Sequence, residues 1–158
     1  MTNLFTEEDR TLTRAEKNRW TVLAWLIAVL TVGLFVVWTI LNIGVLIALT
    51  AFVGGSALFF HLCVNLLPAR RRLAMIERVL GREATEETGL FDGVETRDAE
   101  VEGAYFDDVV LLTADKYGRM TSPRKVHWRA GVPTPAQGAP LRVFTVGSIV
   151  VKAEEGAS

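Results

Sequence analysis

"WTVLAWLIAVLTVGLFVVWTILNIGVLIALTAFVGGSALFFHLCVNLL", Trp20 to Leu67, runs for 48 positions without an Asp, Glu, Lys or Arg. A water-soluble bundle would break such a run with polar residues at helical spacing. Charge-free stretches well beyond about 18 residues are instead what a bilayer interior demands. As one helix the run would measure ~72 Å, over twice a hydrocarbon core of ~30 Å, so the chain must turn back. The turn falls in "WTILNIG", Trp38 to Gly44, where Asn42 tolerates a left-handed conformation and Gly44 carries no Cβ. Helix 1 is therefore expected at 20–40 and helix 2 at 44–67, joined by a very short loop. Trp20 and Trp38 then fall at opposite interfaces, where an indole is apolar on one side and hydrated at its N–H. Small residues at four-residue spacing, Ala24/Ala28 and Ala51/Gly55, offer places for the helices to approach.

The charges outside the run set an orientation. Arg10, Arg14, Lys17 and Arg19 precede it, Arg70, Arg71 and Arg72 follow it, and the connecting loop carries none. The positive-inside tendency puts both ends in the cytoplasm. A cleaved signal peptide is the competing reading of helix 1. It fails because the flank is long, the apolar stretch exceeds an h-region and a second span follows at once. The expected localisation is thus a bacterial plasma membrane, crossed twice, with both termini and the C-terminal domain cytoplasmic.

Residues 1–19 read as a cytoplasmic segment in which Thr13 to Glu16, "TRAE", has capping-box spacing. Met1 to Thr11 offers little that packs and reads as mobile or a surface turn. Residues 68–84 read as an amphipathic linker helix, with Leu73, Ile76 and Leu80 on one face and Gly81 as terminator. It either lies on anionic lipid or packs on the following domain. The second is preferred, because topology already accounts for its three leading arginines.

From about Thr85 the period becomes strand-like. Five strands are expected over 85–155, in "ETGLFDGVETRD", "YFDDVVLLTA", "KVHWRA", "PLRVFTV" and "IVVKAE". Gly147-Ser148 suits a II′ hairpin turn, and "DKYGR" a second turn at Gly118. Five short strands suit a small barrel of the oligonucleotide/oligosaccharide-binding (OB) type, whose closure removes edge strands. The expected fold class is a membrane α-helical hairpin plus a small all-β domain, a five-stranded OB-like barrel.

The stretch His127 to Glu154 carries a resemblance. Trp128 on a strand, then Pro135 and Gly138, then "LRVFTV", Gly147 and "IVVKAE" resemble the closing half of the NfeD-like soluble domain. It departs from that domain at the opening strand. The resemblance implies an OB-type barrel on a membrane anchor, with an SPFH/band-7 membrane scaffold as partner. The layout as a whole is similar to small two-helix membrane proteins of gut Clostridia, which end in an "RV.V.G..IV" pattern; the ending here, Arg142 to Val150, reads "RVFTVGSIV", and that similarity brings no activity with it.

The chemistry-bearing residues are few. The chain has 158 residues, a net charge of −1, two histidines and one cysteine, Cys63, so no intrachain disulfide forms. No nucleophile elbow, phosphate loop, zinc spacing or dinucleotide fingerprint occurs. Residues 84–158 hold eight Lys/Arg against twelve Asp/Glu, which argues against nucleic acid as a partner. Asp107 and Asp108 are neighbours on a strand and so point to opposite faces. In "HLCVNLLPARRR", His61 and Cys63 lie ~200° apart on a helix, whereas His61 and Asn65 share a face at i, i+4. His61 and Asn65 are weak candidates for a site, and the interface residues are Trp20, Trp38, Arg70, Arg71 and Arg72. No cofactor, metal or catalytic residue is expected. The function expected is a non-enzymatic membrane protein presenting a cytosolic barrel to other proteins. The alternative is an accessory subunit of a membrane enzyme or transport complex that uses His61 and Asn65. The partners are the lipid bilayer and an SPFH/band-7 scaffold, with a homo-oligomer as a further candidate.

Overall fold

The computed structural model describes residues 2–115 and 117–155; Lys116 of the expected "DKYGR" turn lies outside them. In chain order the elements are β1 (Thr2–Asn3), α1 (Glu7–Ile40), α2 (Gly44–His61), a π-helical turn (Leu62–Leu66) and α3 (Leu67–Gly81). There follow β2 (Thr85–Val101), β3 (Ala104–Ala114), β4 (Met120–Arg129), β5 (Pro140–Val146) and β6 (Ile149–Glu155). The chain divides into two compact units, Thr11–Leu73 and Met1–Arg10 with Ala74–Ser158.

The first unit is the hairpin. Its two helices are long and apolar enough to cross a membrane, and only 6 % of the most apolar stretch of each is buried by the protein itself. A core helix of a soluble protein would be mostly covered. The turn is a Schellman closure: Asn42 takes φ 55°, its N–H bonds to the Thr39 carbonyl and that of Ile43 to the Trp38 carbonyl. Asn42 is thus the left-handed residue, and Gly44 simply opens α2. In helix 1 Ala24 of the expected Ala24/Ala28 pair is buried, whereas in helix 2 the contact differs from expectation. A Cβ on Gly54 would collide with the Thr31 side chain, whereas Gly55 has nothing near it and Ala51 is exposed. The close approach is therefore Gly54 on Thr31, one position away from the expected Ala51/Gly55 pair.

Helix boundaries also shift. α1 begins at Glu7, because Thr6 and Asp9 form the cap: the Thr6 N–H donates to the Asp9 carboxylate (2.9 Å) and the Asp9 N–H to Thr6 Oγ1 (3.4 Å). Thr13 and Glu16 have the same spacing but lie inside the helix. Gly44 to Gly81 is helical throughout, so Pro68 does not end helix 2. Just before it the Leu67 N–H reaches back five residues to the Leu62 carbonyl, the wide π turn that carries the helix on through a residue lacking its own donor.

The second unit is a closed five-stranded barrel. β2 pairs with β3, β3 with β4, β4 with β6, β6 with β5 and β5 back with β2. The β4–β6 pairing is parallel and a single residue pair wide, His127 on Ile149. β2 is longer than expected, since Ala99 to Val101 belong to it and only Glu102-Gly103, with φ 52° and 80°, form the turn. Three register shifts along β2 let one strand serve β5 at its start and β3 along the rest. Gly147 (φ 66°) makes the expected turn between β5 and β6, with positive φ at its first position only, as II′ requires.

Residues 2–5 are not a mobile tail. Thr2 and Asn3 pair with Ala153 and Lys152 of β6, and Leu4 and Phe5 join the core. That core also takes Met75, Ile76 and Val79 from α3, beside Phe106, Val109, Leu111, Val126, Trp128, Val143 and Val150. The apolar face of the linker helix is therefore spent on the barrel and is not available to lie on lipid.

Candidate functional site

Glu16, Trp20, His61, Asn65 and Arg72 converge at one end of the hairpin unit. His61 is 6 % exposed. Its Nε2 lies 3.0 Å from the Trp20 carbonyl oxygen and its Nδ1 3.2 Å from the Asn65 amide nitrogen. A carbonyl only accepts, so Nε2 carries the proton and donates; Nδ1 then accepts from the Asn65 amide. The expected i, i+4 pair is thus formed, and it also ties α2 to α1. The Trp20 ring stands edge-on to His61, with centroids 5.6 Å apart. Its Nε1–H donates to Glu16 (3.4 Å), and Glu16 forms an ion pair with Arg72 (3.2 Å). The Arg19 guanidinium lies 5.7 Å from the Trp20 ring centre.

This arrangement decides what the cluster can do. Both imidazole nitrogens are engaged, one as donor and one as acceptor, so neither presents a lone pair to a metal or a proton to a substrate. Cys63 is exposed and unpaired with His61. The cluster clasps the two helices at their charged end. Sequence spacing located His61 and Asn65, but the Trp20 carbonyl and the Glu16–Arg72 pair join residues 41 and 56 positions apart. Only the hairpin turn brings those together.

Trp38 lies in the last turn of α1, at the uncharged end. Eighteen residues separate it from Trp20, ~27 Å at helical rise, close to a hydrocarbon thickness. Arg70 and Arg71 are exposed, while Arg72 is committed to Glu16.

In the barrel unit His127 Nδ1 lies 2.8 Å from Asp108 Oδ1. Asp107 instead accepts from the Asp98 N–H, so the adjacent carboxylates do go separate ways. No hydroxyl or thiol joins the His127–Asp108 pair among the described residues. Nor does any group of three or more His, Cys, Asp or Glu there stand together to hold a metal. Val126 and Trp128 turn into the barrel, leaving His127 and Arg129 on the outer face of β4. There Phe106 meets both His127 (5.9 Å) and Phe5 (6.2 Å). Arg129 donates to the Leu4 carbonyl (2.7 Å) and to Asp9 (2.7 Å) and lies over the Phe5 ring. Arg129 holds the Asp9 carboxyl below the usual carboxylate range, helped by Thr6 and opposed by burial. Residues 4–9 therefore cover the outer face of β3 and β4 only at its Phe106–Arg129 end, while Met120 to Lys125 of β4 stay exposed. An open cleft of about 560 Å³ lies at the barrel, lined by Trp128, Pro133, Pro135, Glu154 and Glu155.

Compared with known proteins, the chain matches no family model, no curated protein and no solved structure.

Proposed function

We propose that the chain is a non-enzymatic membrane anchor that presents a small barrel to another protein in the bacterial cytoplasm. The observation that carries this is topological. Residues on both sides of the apolar run fold into one unit, Met1–Arg10 with Ala74–Ser158. Whatever side that unit occupies, the run between must leave and return, which means two crossings. The cations at that end of the hairpin then favour the cytoplasmic side.

The barrel's surface supports recognition by side chains. OB-type barrels take oligonucleotides on the face of their second and third strands. Here those positions are β3 and β4, one end of whose outer face residues 4–9 cover, and the unit carries eleven Lys/Arg against seventeen Asp/Glu, which disfavours a polyanion. Strand addition is also disfavoured: the outer edge of β4 holds Pro123, Arg124 and Lys125. On the resemblance to the NfeD-like domain, the partner class is an SPFH/band-7 scaffold. The alternative, an accessory subunit working through His61 and Asn65, requires the imidazole to give up one of two existing hydrogen bonds.

Two measurements test the reading. A reporter fused at Ser158 should give a cytoplasmic signal, and an extracytoplasmic one overturns the orientation. Purification in mild detergent should recover a stoichiometric SPFH-type protein; recovery of the bare chain removes that partner.

A further inference from the structure

We infer that the charged end of the hairpin is a binding site for the phosphodiester headgroups of anionic phospholipids. The inference rests on the membrane placement proposed above and adds a ligand to it. Charge is segregated between the two structural units. Thr11–Leu73 carries six Lys/Arg against a single acidic residue, Glu16, so net +5. All seven of these charges lie between Arg14 and Arg19 or between Arg70 and Arg72, and none lies at the Asn42 turn.

The fold brings the two groups to one end. The Glu16–Arg72 ion pair (3.2 Å) and the His61–Trp20 hydrogen bond (3.0 Å) join their helices there. Glu16 is used by Arg72 and by the Trp20 indole, so the one local carboxylate is already committed. Lys17 and Arg19 from α1, with Arg70 and Arg71 from α3, remain as a cationic rim; Arg19, Arg70 and Arg71 are exposed. Their depth fits phosphate. Arg70 lies nine residues beyond His61, ~13 Å along a helix, and Arg19 adjoins the interfacial Trp20. Basic residues just outside a span each add attraction to an anionic leaflet, within about a Debye length of ~10 Å.

The mode of attachment follows as well. Met75, Ile76 and Val79 are buried in the barrel core, so α3 has no apolar face left to insert beside its arginines. Attraction to lipid headgroups is then electrostatic and salt-sensitive, unlike that of an amphipathic surface helix.

The test uses full-length protein purified in nonionic detergent, with bound lipid read by native mass spectrometry. Phosphatidylglycerol and phosphatidylcholine of identical acyl chains compete directly, and glycerol 3-phosphate serves as a soluble probe. Phosphatidylglycerol should be retained at about fivefold or more over phosphatidylcholine, with the preference lost near about 1 M salt. Replacing Arg70 and Arg71 by Gln, or Lys17 and Arg19 by Gln, should each cut the preference. Arg70→Lys with Arg71→Lys should keep it, which separates lost charge from lost folding. Equal retention of the two lipids, or a preference that survives both Gln pairs, overturns the site. Equal binding of glycerol 3-phosphate or of a short RNA also overturns the lipid assignment. Failure of the membrane placement itself would show differently, as protein recovered in the aqueous fraction without detergent.

Discussion

Phe5 and Phe52 are the same side chain in two different solvents. Phe5 is 6 % exposed and packs on Phe106 in the barrel unit; Phe52, on α2, is 75 % exposed. In water, the barrel is stable because such rings leave the solvent and fill a close-packed core. In the proposed membrane placement, lipid covers Phe52, and the protein gains nothing by covering it again. The hairpin is held instead by close backbone approach at Gly54, a left-handed turn and a few hydrogen bonds at its charged end.

The widest test of that contrast is the pair itself. In full-length protein in micelles, Phe5→Ala should destabilise the barrel by about 3–5 kcal/mol, and Phe52→Ala should change stability by less than about 0.5 kcal/mol. Denaturant titration followed by near-ultraviolet circular dichroism measures both, and equal losses would break the comparison. Arg129→Ala comes next. It leaves the buried Leu4 carbonyl and the Asp9 Oδ1 without their donor, a loss of about 2 kcal/mol in the same titration. Arg129→Lys should recover part of it.

In the hairpin, Asn42→Val should cost about 1–2 kcal/mol by forcing a β-branched residue to positive φ, while Asn42→Gly is tolerated. Helicity against temperature in micelles reads the difference. His61→Leu removes the clasp between helices and should cost only about 0.6 kcal/mol, as polar contacts between spans typically do. A loss as large as that of Phe5→Ala would mean that the clasp, not packing, holds the hairpin.

The smallest expected effect is acid sensitivity. Asp9 has its pKa lowered in the folded barrel by Arg129, so its stabilisation is complete above the unfolded value of about 4 and is lost as pH falls through the folded one. The barrel's melting temperature should be level from neutral pH to about pH 5 and then fall. Asp9→Asn should remove that part of the fall.

What the sequence made readable follows the same division. The hairpin depends on composition, and 48 residues without charge admit few other readings. Its turn at Asn42 and the II′ turn at Gly147 are equally local, each decided by one residue's tolerance of positive φ. The features missed depend on partners far away in the chain. Leu4 and Phe5 are two apolar residues in a polar stretch, too short for any periodicity, and their burial depends on Phe106 and Val151. Gly54, Ala51 and Gly55 are alike in sequence, and only the helix crossing selects Gly54. Spacing placed His61 beside Asn65, but nothing local points to the carbonyl of Trp20.

The pairing of Thr2 and Asn3 with Lys152 and Ala153 has a consequence for biogenesis. Thr2 and Asn3 leave the ribosome well before the Lys152 and Ala153 with which they pair. Before β6 exists, the hairpin has already been translated and can enter the bilayer, while Leu4 and Phe5 wait without their core. Barrel closure therefore waits for β6, and Leu4 and Phe5 stay unpacked until then. A stalled chain that ends before Ile149 should be inserted in the membrane yet remain open to protease at its beginning.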